Sequence, residues 1–345
     1  MIDLRLYTIF FLLFISLTEV ASQDNFRVVF YNVENLFDAR DDSLKDDKDF
    51  LPDGFMRWNE WKYREKLKNI TKVITAVGGM YSPALVGLCE IENDSVLHDL
   101  TKRSALSAQG YDFIITDSPD ERGVDVALLY QRHQFKLLEY TEYDINFSDK
   151  RTRPTRNILH VVGTLVNKDT LDVFVGHFPS RVSGKLDTEQ ARTESAQVLR
   201  NRVDSILSVR INPFLIIMGD FNDEPNDKSL LHVLKANQIK ENIIADDLYN
   251  LIYIKNKTPE CGTYKYQGVW SVIDHLIVNG RLLNNSNSTH VKNSNAYIYN
   301  ESFLLEKDEK YYGTKPFRTN IGPRYNGGFS DHLPIYMDLN ILFNE

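Results

Sequence analysis

The chain of 345 residues is 42% hydrophobic and 26% charged, which is the composition of a globular protein long enough for one large α/β domain. Its 48 acidic residues outnumber its 40 basic ones and give a formal net charge of −8. Because this charge repels a polyanion at long range, it argues against a strong, non-specific DNA-binding surface, while a local basic patch stays open.

The N-terminal segment has the pattern of a secretory signal. An apolar run over residues 6–17 is followed by small residues, which predicts a signal peptide over residues 1–22 with cleavage near Ser22/Gln23. The alternative is an uncleaved membrane anchor, which the shortness of the run disfavours. We therefore expect a secreted or periplasmic protein whose remaining part, residues 23–345, forms the domain and has no transmembrane segment.

The chain has two cysteines, Cys89 and Cys261. An exported protein could pair them, but two cysteines do not make a disulfide scaffold. We favour two structural thiols.

Hydrophobic periodicity predicts strands alternating with helices, the pattern of an α/β protein. The segment 58–77, for example, has apolar residues at helical spacing and ends at Gly78-Gly79. In chain order, the predicted elements are a strand over 26–31, a helix over 58–77, a strand over 83–88, a short helix from Asn93 through Leu106, a strand over 111–115, a hairpin of 159–165 and 171–175, a long helix over 187–209, a strand ending near Met218, and strands over 272–278 and 334–339.

Two polar segments are predicted to be loops. Residues 38–53 are rich in Asp but lack the glycine and terminal glutamate of an EF-hand, so a solvated charge run is the better interpretation. Residues 284–295 are rich in Asn and Ser and predict an exposed loop. Between them, Asp125 interrupts an apolar strand. Because an unpaired buried carboxylate is costly, we expect Arg122 or another arginine to pair with it, either structurally or at a substrate site.

Polar side chains that can bind ions or move protons follow or flank several of the strand-like runs. Asp220 and Asn222, one residue apart, can both project from the end of a strand, where α/β proteins keep their chemistry. Five stretches share this character: Tyr31-Asn32-Val33-Glu34-Asn35, Leu88-Cys89-Glu90-Ile91-Glu92, Gly176-His177-Phe178-Pro179, Leu215-Ile216-Ile217-Met218-Gly219-Asp220-Phe221-Asn222-Asp223, and the pair Val272-Ile273-Asp274-His275 with Ser330-Asp331-His332-Leu333-Pro334.

Taken in this order, the five stretches resemble the endonuclease/exonuclease/phosphatase superfamily. Its members include pancreatic-type deoxyribonuclease, exonuclease III, neutral sphingomyelinase and inositol polyphosphate phosphatases, and the resemblance covers residues 26–339. A single Asp at a strand end is usually a cap or turn residue, so the specific signal is the joint occurrence of all the motifs. The resemblance implies a four-layer α/β sandwich of the DNase I type, in which two packed mixed β-sheets are flanked by helices.

The resemblance also assigns metal and water roles. Glu90 matches the family's principal metal ligand, and Asn32 and Asp331 match positions that complete or border the metal site. Asp220 matches the aspartate that orients or deprotonates the attacking water, and Asn222 would help to hold the phosphate. Because acids and amides outnumber imidazoles in these motifs, Mg²⁺ is expected, with Mn²⁺ as an alternative, and zinc is disfavoured.

Two histidines complete the implied catalytic set. His332 matches the histidine that contacts the scissile phosphate, and Asp274 would fix its tautomer. His177 matches the second histidine of the deoxyribonuclease and sphingomyelinase branches, and Glu121 is a loosely aligned candidate for its acid partner.

The arginines and aromatic residues near the motifs bear on the substrate. Arg122, Arg181 and Arg318 are candidates for binding the substrate phosphate, with surface solubility as the alternative. A group of aromatic residues before the Asp331-His332 pair could stack on bases, pack a loop or meet a lipid. These are Tyr311, Tyr312, Phe317, Tyr325 and Phe329.

The function expected from the sequence is an exported, Mg²⁺-dependent phosphodiesterase, and we favour a nuclease that acts on DNA or RNA. The main alternative is a phosphatase or a sphingomyelinase-like phospholipase. The low content of basic residues in the chain keeps this alternative open. A non-catalytic binding protein on the same scaffold is disfavoured because the chain keeps every acidic residue of the family's motifs. We expect a monomer with nucleic acid as substrate and no stable protein partner.

Overall fold

The computed structural model describes residues 22–182, 184–253 and 262–343. Cys261 and nearly all of the expected signal peptide lie outside the described residues. Cys89 is buried between the two sheets introduced below. Within the described ranges, no helix combines the length and the apolarity that crossing a membrane requires.

The predicted strands and helices occur along the chain in the predicted order, but strands alternate with α-helices only as far as the strand Tyr111–Ile115 and again around the helix Glu189–Val209. The strands are β1 (Ser22–Leu36), β2 (Leu85–Ile91), β3 (Tyr111–Ile115), β4 (Asp125–Gln131), β5 (Phe135–Tyr143), β6 (Ile158–Leu165), β7 (Thr170–His177), β8 (Phe214–Asp220), β9 (Ala236–Asn237), β10 (Leu248–Asn250), β11 (Tyr264–Tyr266), β12 (Val269–Ser271), β13 (Asp274–Asn279), β14 (Thr289–Val291), β15 (Tyr297–Ile298), β16 (Leu305–Lys307), β17 (Thr314–Pro316), β18 (Asn320–Ile321), β19 (Arg324–Tyr325) and β20 (Ile335–Leu342). The α-helices are α1 (Glu60–Gly78), α2 (Asp94–His98) and α3 (Glu189–Val209), and short helical turns of other types cover Lys48–Phe50, Asp99–Arg103, Ala105–Gln109, Ser229–Leu234, Gly280–Leu283, Lys292–Ser294 and Ser302–Leu304.

Two mixed sheets, each of seven described strands, form the centre of the fold. The first has the order β14-β20-β1-β2-β4-β3, with β15 also paired to β20, and its β1–β2 pair is parallel. The second has the order β5-β6-β7-β8-β13-β10-β9, and its β7–β8 pair is parallel. Helix α1 packs on the outer face of the first sheet, and α3 packs on the outer face of the second. The four-layer α/β sandwich predicted from the sequence is therefore confirmed.

The alternation of side chains along β8 explains both the packing and the position of the polar motif. Ile216 and Met218 point into the apolar layer between the sheets, whereas Leu215 and Ile217 point toward α3. The sequence of a strand that is buried on both faces is a continuous apolar run. The next residue on the inner face is Asp220, so the alternation that buries the strand also delivers this carboxylate to the end of the layer between the sheets.

Gly219 lets β7 and β8 approach closely beside the site. A Cβ atom at this position would collide with the carbonyl oxygen of Gly176 and lie 2.7 Å from the ring of Phe221. We expect Gly219→Ala to lower the free energy of unfolding by about 1–3 kcal/mol, because backbone has to move to make room. Chemical denaturation monitored by circular dichroism measures this, and a wild-type midpoint would contradict it.

Three local predictions differ in part from the structure. The expected helix from Asn93 through Leu106 starts at the predicted Asn93 cap, but it ends at Arg103: α2 continues into a π-helical turn over Asp99–Arg103, and Ser104 then adopts an extended backbone while its hydroxyl donates to the carbonyl of Leu100. The expected exposed loop 284–295 contains the buried strand β14, which pairs with β20. The acidic loop 38–53 lies mostly at the surface as predicted, but Asp47 within it is buried and accepts a hydrogen bond from the backbone amide of Asp42.

Candidate active site

The polar motifs converge at one end of the crevice between the two sheets. They line a cleft with a volume of about 680 Å³. The residues around it come from both sheets and from the loops beyond them, and they are Glu90, Arg122, His177, Ser180, Arg181, Val182, Asp220, Asn222, Tyr264, Tyr266, Gln267, Val269, Ser271, Ile273, Arg318, Asp331 and His332. Of the eight residues assigned catalytic or metal roles from the sequence, the cleft lining includes Glu90, His177, Asp220, Asn222, Asp331 and His332; Asn32 and Asp274 lie directly behind Asp220 and His332.

Asp220 lies at the centre of the site. One of its carboxylate oxygens accepts a hydrogen bond from the side-chain amide of Asn32 (3.1 Å), which reaches across from the other sheet, and the second accepts from the backbone amide of Asn222 (3.0 Å). Burial raises the pKa of Asp220 to about 7, an effect that His332 opposes and Asp274 reinforces. Asp220 is therefore held rigidly and is suited to exchange a proton near neutral pH.

Asn222 adopts a left-handed backbone with φ of 52°. Its side-chain NH₂ donates to the carbonyl of Phe178 (3.1 Å), so the turn after β8 is tied to the turn after β7. This contact fixes the loop that supports Asp220.

His332 is oriented by a carboxylate. Its Nδ1 lies 2.8 Å from an oxygen of Asp274, and its Nε2 lies 3.7 Å from the nearer oxygen of Asp220. Burial by itself lowers the pKa of His332, but the two carboxylates more than offset it and hold the pKa well above its usual value. The imidazolium form is therefore favoured, with Nε2 as a donor toward Asp220 and the cleft.

His177 also lies beside Asp220, but its pKa is shifted in the opposite direction from that of His332. Its Nε2 is 3.6 Å from Asp220 and 4.0 Å from Glu90. Burial, with nearby arginines, lowers the pKa of His177 well below its usual value, and its Nδ1 has no hydrogen-bond partner within the described parts of the chain. The suggestion that Glu121 pairs with it is wrong, because Glu121 lies on the surface and its nearest basic partner is Arg153 (3.7 Å).

Glu90 reaches the cleft through a β-bulge. The pairing of β2 with β4 shifts register between Cys89 and Ile91, and Glu90 has a left-handed backbone with φ of 63°. In a regular strand the alternation would direct this side chain toward α1, whereas the bulge directs it into the site. One carboxylate oxygen of Glu90 accepts from the backbone amide of Asn35 (2.9 Å), which fixes its position.

Asp331 belongs to a network of charged residues that is buried at Glu34 and Lys66 and partly exposed at Arg318 and Asp331. Arg318 donates to Asp331 (3.0 Å) and to Glu34 (3.1 Å), and Glu34 also accepts from the backbone amide of Thr319. Lys66 on α1 is completely buried and donates to Thr319 and to the carbonyl of Phe329 (2.8 Å). The network anchors the segment before Asp331 to the first sheet and to its covering helix.

The three predicted phosphate-binding arginines all line the cleft, but they are not equally available. Arg318 is committed to two carboxylates, and Arg181 donates to the carbonyl of Asn222 and contacts Asp223 and Asp227 at 3.3 and 2.9 Å. Arg122 has one looser ion pair, 3.5 Å to Asp120, and 49% of its side chain is exposed. Arg122 is therefore the best placed of the three to bind a substrate phosphate.

The expected pairing of Asp125 with an arginine is wrong. Its carboxylate accepts from the hydroxyls of Ser118 and Thr116 and from the backbone amide of Ser118. Arg156, another arginine near the motifs, is buried against Asp120 at 3.0 Å. Neutral hydroxyl donors therefore satisfy Asp125, a solution that charge pairing in the sequence does not reveal.

The late aromatic residues mostly serve packing. Phe329 is buried with Phe317 at 6.0 Å between ring centroids, and Tyr325 lies 5.5 Å from Trp61. The aromatic residues that line the cleft are Tyr264 and Tyr266, which the sequence analysis did not single out.

The donor set of the site fits a hard divalent cation, because it is rich in carboxylates. Glu90 and Asp331 each use one oxygen for a hydrogen bond inside the protein, and among the described residues no donor occupies the second. Both ends of the Asn32 side chain are engaged, the NH₂ by Asp220 and the oxygen by the backbone amide of Glu34 (2.9 Å). Glu90 and Asp331 would therefore hold an ion most directly, and a ligand role for Asn32 stays a prediction.

A second group of possible ligand atoms lies beside these residues. Asp220, Asp274 and His332 offer atoms that are all within 4.8 Å of one another. The short contact between Asp274 and His332 uses the Nδ1 atom, and the raised pKa of His332 keeps its ring protonated. This trio therefore suits proton transfer and phosphate contact better than ion binding.

Comparisons with known proteins agree with this geometry. The profile of the Endonuclease/Exonuclease/phosphatase family matches residues 27–341. A search of curated proteins found no match. Solved structures with the same fold include the human Nocturnin catalytic domain with bound sulfate anion, at 16% identity and a TM-score of 0.54 over 92% of this chain and 96% of that one. TDP2 of D. rerio complexed with single strand DNA product matches at 17% identity and a TM-score of 0.55, covering 91% of this chain and 98% of that one. A mannosyl-6-phosphatase of Bacteroides thetaiotaomicron matches at 18% identity and a TM-score of 0.54, covering 91% of this chain and 99% of that one.

Two packed sheets with acids and histidines at one end of the crevice between them are the arrangement of a family of hydrolytic phosphoesterases. The chain belongs to the endonuclease/exonuclease/phosphatase family, and the resemblance seen in its motifs is confirmed. Members of this family are generally dependent on divalent metals, in agreement with the acidic site.

Proposed function

We propose that the protein is an exported, Mg²⁺-dependent phosphodiesterase that cleaves DNA or RNA. The observation that carries the proposal is the placement of Asp220 between two histidines, with Glu90 and Asp331 at the same end of the crevice. Hydrolysis of a phosphodiester needs an activated water, neutralisation of charge on the phosphate and protonation of the leaving oxygen. Each task has a positioned side chain in this site.

The roles follow from the contacts. Asp220, fixed by Asn32 and by the backbone of Asn222, accepts the proton of the attacking water. His332, oriented by Asp274 and held in its imidazolium form, contacts the phosphate from Nε2 and gives its Nε2 proton to the leaving oxygen. Arg122 binds the phosphate from the rim of the cleft.

A bound Mg²⁺ ion would supply Lewis-acid charge neutralisation, and Glu90 and Asp331 would hold it. His177 lies near Glu90 and Asp220 and completes the polar lining around the phosphate.

Removal of divalent cations is expected to abolish activity. A metal chelator should lower turnover of any accepted phosphodiester to background, and adding Mg²⁺ or Mn²⁺ should restore it, because the carboxylates alone repel the phosphate. Dialysis against chelator followed by metal titration measures this. Turnover that is indifferent to the chelator would contradict the metal-dependent proposal.

The alternative, a phosphatase or sphingomyelinase-like phospholipase, is favoured by the net charge of −8, which suits a small or lipid phosphoester better than a long polyanion. The two candidates use the same site and differ in the substrate. Assays of the chain starting at Gln23 on plasmid DNA, RNA, sphingomyelin, phosphoinositides and a sugar phosphate separate them. Metal-dependent cleavage of nucleic acid supports the proposal, and turnover of a lipid or sugar phosphate alone replaces it with the alternative.

We propose export from the N-terminal pattern, and we propose separately that the mature chain is a monomer without a stable protein partner. Expression of the full chain with an epitope tag at the C-terminus tests export. A shortened product outside the cytoplasm, with an N-terminus near Gln23, is expected. A full-length product retained in the membrane fraction would favour the uncleaved anchor.

A further inference from the structure

One wall of the cleft is a two-stranded hairpin made by β11 and β12. Side chains alternate along it, so Tyr264 and Tyr266 share one face while Lys265 points to the other. Val269 pairs across the hairpin with Tyr266, and Ser271 pairs with Tyr264. All four residues on this face line the cleft, and we call this face the aromatic wall.

The hairpin is anchored on its opposite face. The ammonium of Lys265 is 3.2 Å from Asp308 and donates to the carbonyls of Tyr312 and Thr314, each at 2.9 Å, while only 3% of its side chain is exposed. Trp270, also on this face, is buried in the core beneath α1. The aromatic wall is therefore held at a fixed distance from the catalytic residues.

The inner and outer parts of the aromatic wall differ. Tyr264 lies against the imidazole of His332, with 4.9 Å between ring centroids, and supports the catalytic histidine. Tyr266 and Val269, further out, are 62% and 66% exposed. Gln267 donates to the hydroxyl of Tyr266 (3.2 Å), which restrains its ring. An exposed aromatic ring and an aliphatic side chain beside a polar catalytic site are suited to an apolar, flat part of the substrate.

We infer that Tyr266, backed by Val269, stacks on the unpaired nucleobase next to the scissile phosphate. This inference rests on the proposed nuclease function and narrows it to single-stranded nucleic acid. The cleft lining then offers two different contacts, Arg122 for a phosphate and Tyr266 for a base. In a duplex the faces of a base are covered by its neighbours, so only an unstacked base can lie on the tyrosine.

The net charge of the chain also favours a single strand over a duplex as the substrate. Binding to duplex DNA depends mainly on neutralising many phosphates, and a chain with a formal charge of −8 has little capacity for this. Stacking of a base on an aromatic ring tolerates any sequence, and a single strand presents half as many phosphates per unit length as a duplex. A short single strand held by one base and one phosphate therefore fits the molecule better than a duplex.

The test compares Tyr266→Ala and Tyr266→Trp with wild type on a single-stranded oligonucleotide and on its duplex. Wild type should prefer the single strand. Tyr266→Ala should raise KM for the single strand about tenfold with kcat little changed, and Tyr266→Trp should keep a low KM, because a larger ring still stacks. Tyr81→Ala, which removes another exposed tyrosine (55% exposed) away from the cleft, should leave KM unchanged.

A spectroscopic measurement reports on stacking directly. A single strand carrying 2-aminopurine should lose fluorescence on binding to wild type and lose much less on binding to Tyr266→Ala. Equal KM values and equal quenching for these two proteins would overturn the aromatic wall as a base site while leaving nuclease activity intact. No cleavage of any nucleic acid by wild type, together with turnover of sphingomyelin or a sugar phosphate, would overturn the nuclease proposal and the base site together.

Discussion

Replacing Asp220 with asparagine is expected to lower kcat by about 10²–10⁴-fold while the protein stays folded. The amide keeps the size of the side chain and one oxygen that can accept from Asn32 or from the backbone of Asn222. It cannot accept the proton of an attacking water. Because burial raises the pKa of Asp220 to about 7, the charged form is poorly accommodated in the fold, so removing the charge offsets part of the hydrogen bond that the amide loses and the protein should stay folded.

The measurement is steady-state turnover of the best substrate together with thermal unfolding. Asp246→Asn is a matched control, because Asp246 lies on the surface with 53% of its side chain exposed and an ion pair to Arg281 at 2.9 Å. The control should keep full activity. Full activity in Asp220→Asn would show that another group activates the water, whereas loss of activity with unfolding would leave a structural role as the explanation.

Where strands are regular, the sequence accounts for how the candidate site residues come together. An apolar run buried on both faces specifies the alternation of side chains, and this alternation brings Asp220 of the second sheet within hydrogen-bond distance of Asn32 of the first. His177, at the end of β7, pairs in register with Asp220 in the neighbouring strand. These contacts follow from strand ends that meet at one edge of the sandwich.

The position of Glu90 could not be derived from alternation. A bulge and a left-handed backbone rotate it into the cleft, and a second irregularity lies between Asn32 and Leu36 in β1. Local sequence gives little warning of such bulges because neither involves glycine. Glu90 was identified instead from the motif resemblance, in which it matches the family's principal metal ligand.

The wrong prediction for Asp125 and the overlooked role of Tyr266 have a common cause. Arg122 is close to Asp125 in sequence, but strand β4 begins at Asp125 and directs its carboxylate toward the hydroxyls of Ser118 and Thr116. Tyr266 was overlooked for a related reason, since its exposure depends on how Lys265 anchors the hairpin to a segment more than forty residues away. Contacts between distant segments decide both cases, and one sequence alone does not reveal them.

Replacing Lys66 with methionine is expected to lower the free energy of unfolding by about 3–5 kcal/mol and to reduce activity as well. Lys66 is completely buried on α1, where burial lowers its pKa to about 8 while Glu34 and Asp331 oppose the shift. Without the ammonium, the carbonyl of Phe329 loses a donor and the buried carboxylate of Glu34 loses a compensating charge. An uncompensated buried charge is more costly than the loss of an exposed one.

Activity should fall with stability because the same charges position the site. The hydroxyl of Thr319 accepts the hydrogen bond of Lys66, and the backbone amide of Thr319 donates to Glu34. Glu34 in turn accepts a hydrogen bond from Arg318, which also donates to Asp331. Urea denaturation and turnover below the unfolding transition measure the two effects separately. Lys68→Met, two residues along the same helix at a side chain that is 73% exposed, should change stability by no more than about 0.5 kcal/mol.

The double variant Lys66→Met with Glu34→Gln distinguishes electrostatics from packing. If the buried charges compensate one another, removing both should cost less than the sum of the two single changes, since neither is then left alone. Strict additivity would mean that Lys66 acts only through its hydrogen bonds to Thr319 and Phe329. A wild-type unfolding midpoint for Lys66→Met would show that the segment carrying Asp331 and His332 is held in place without the buried lysine.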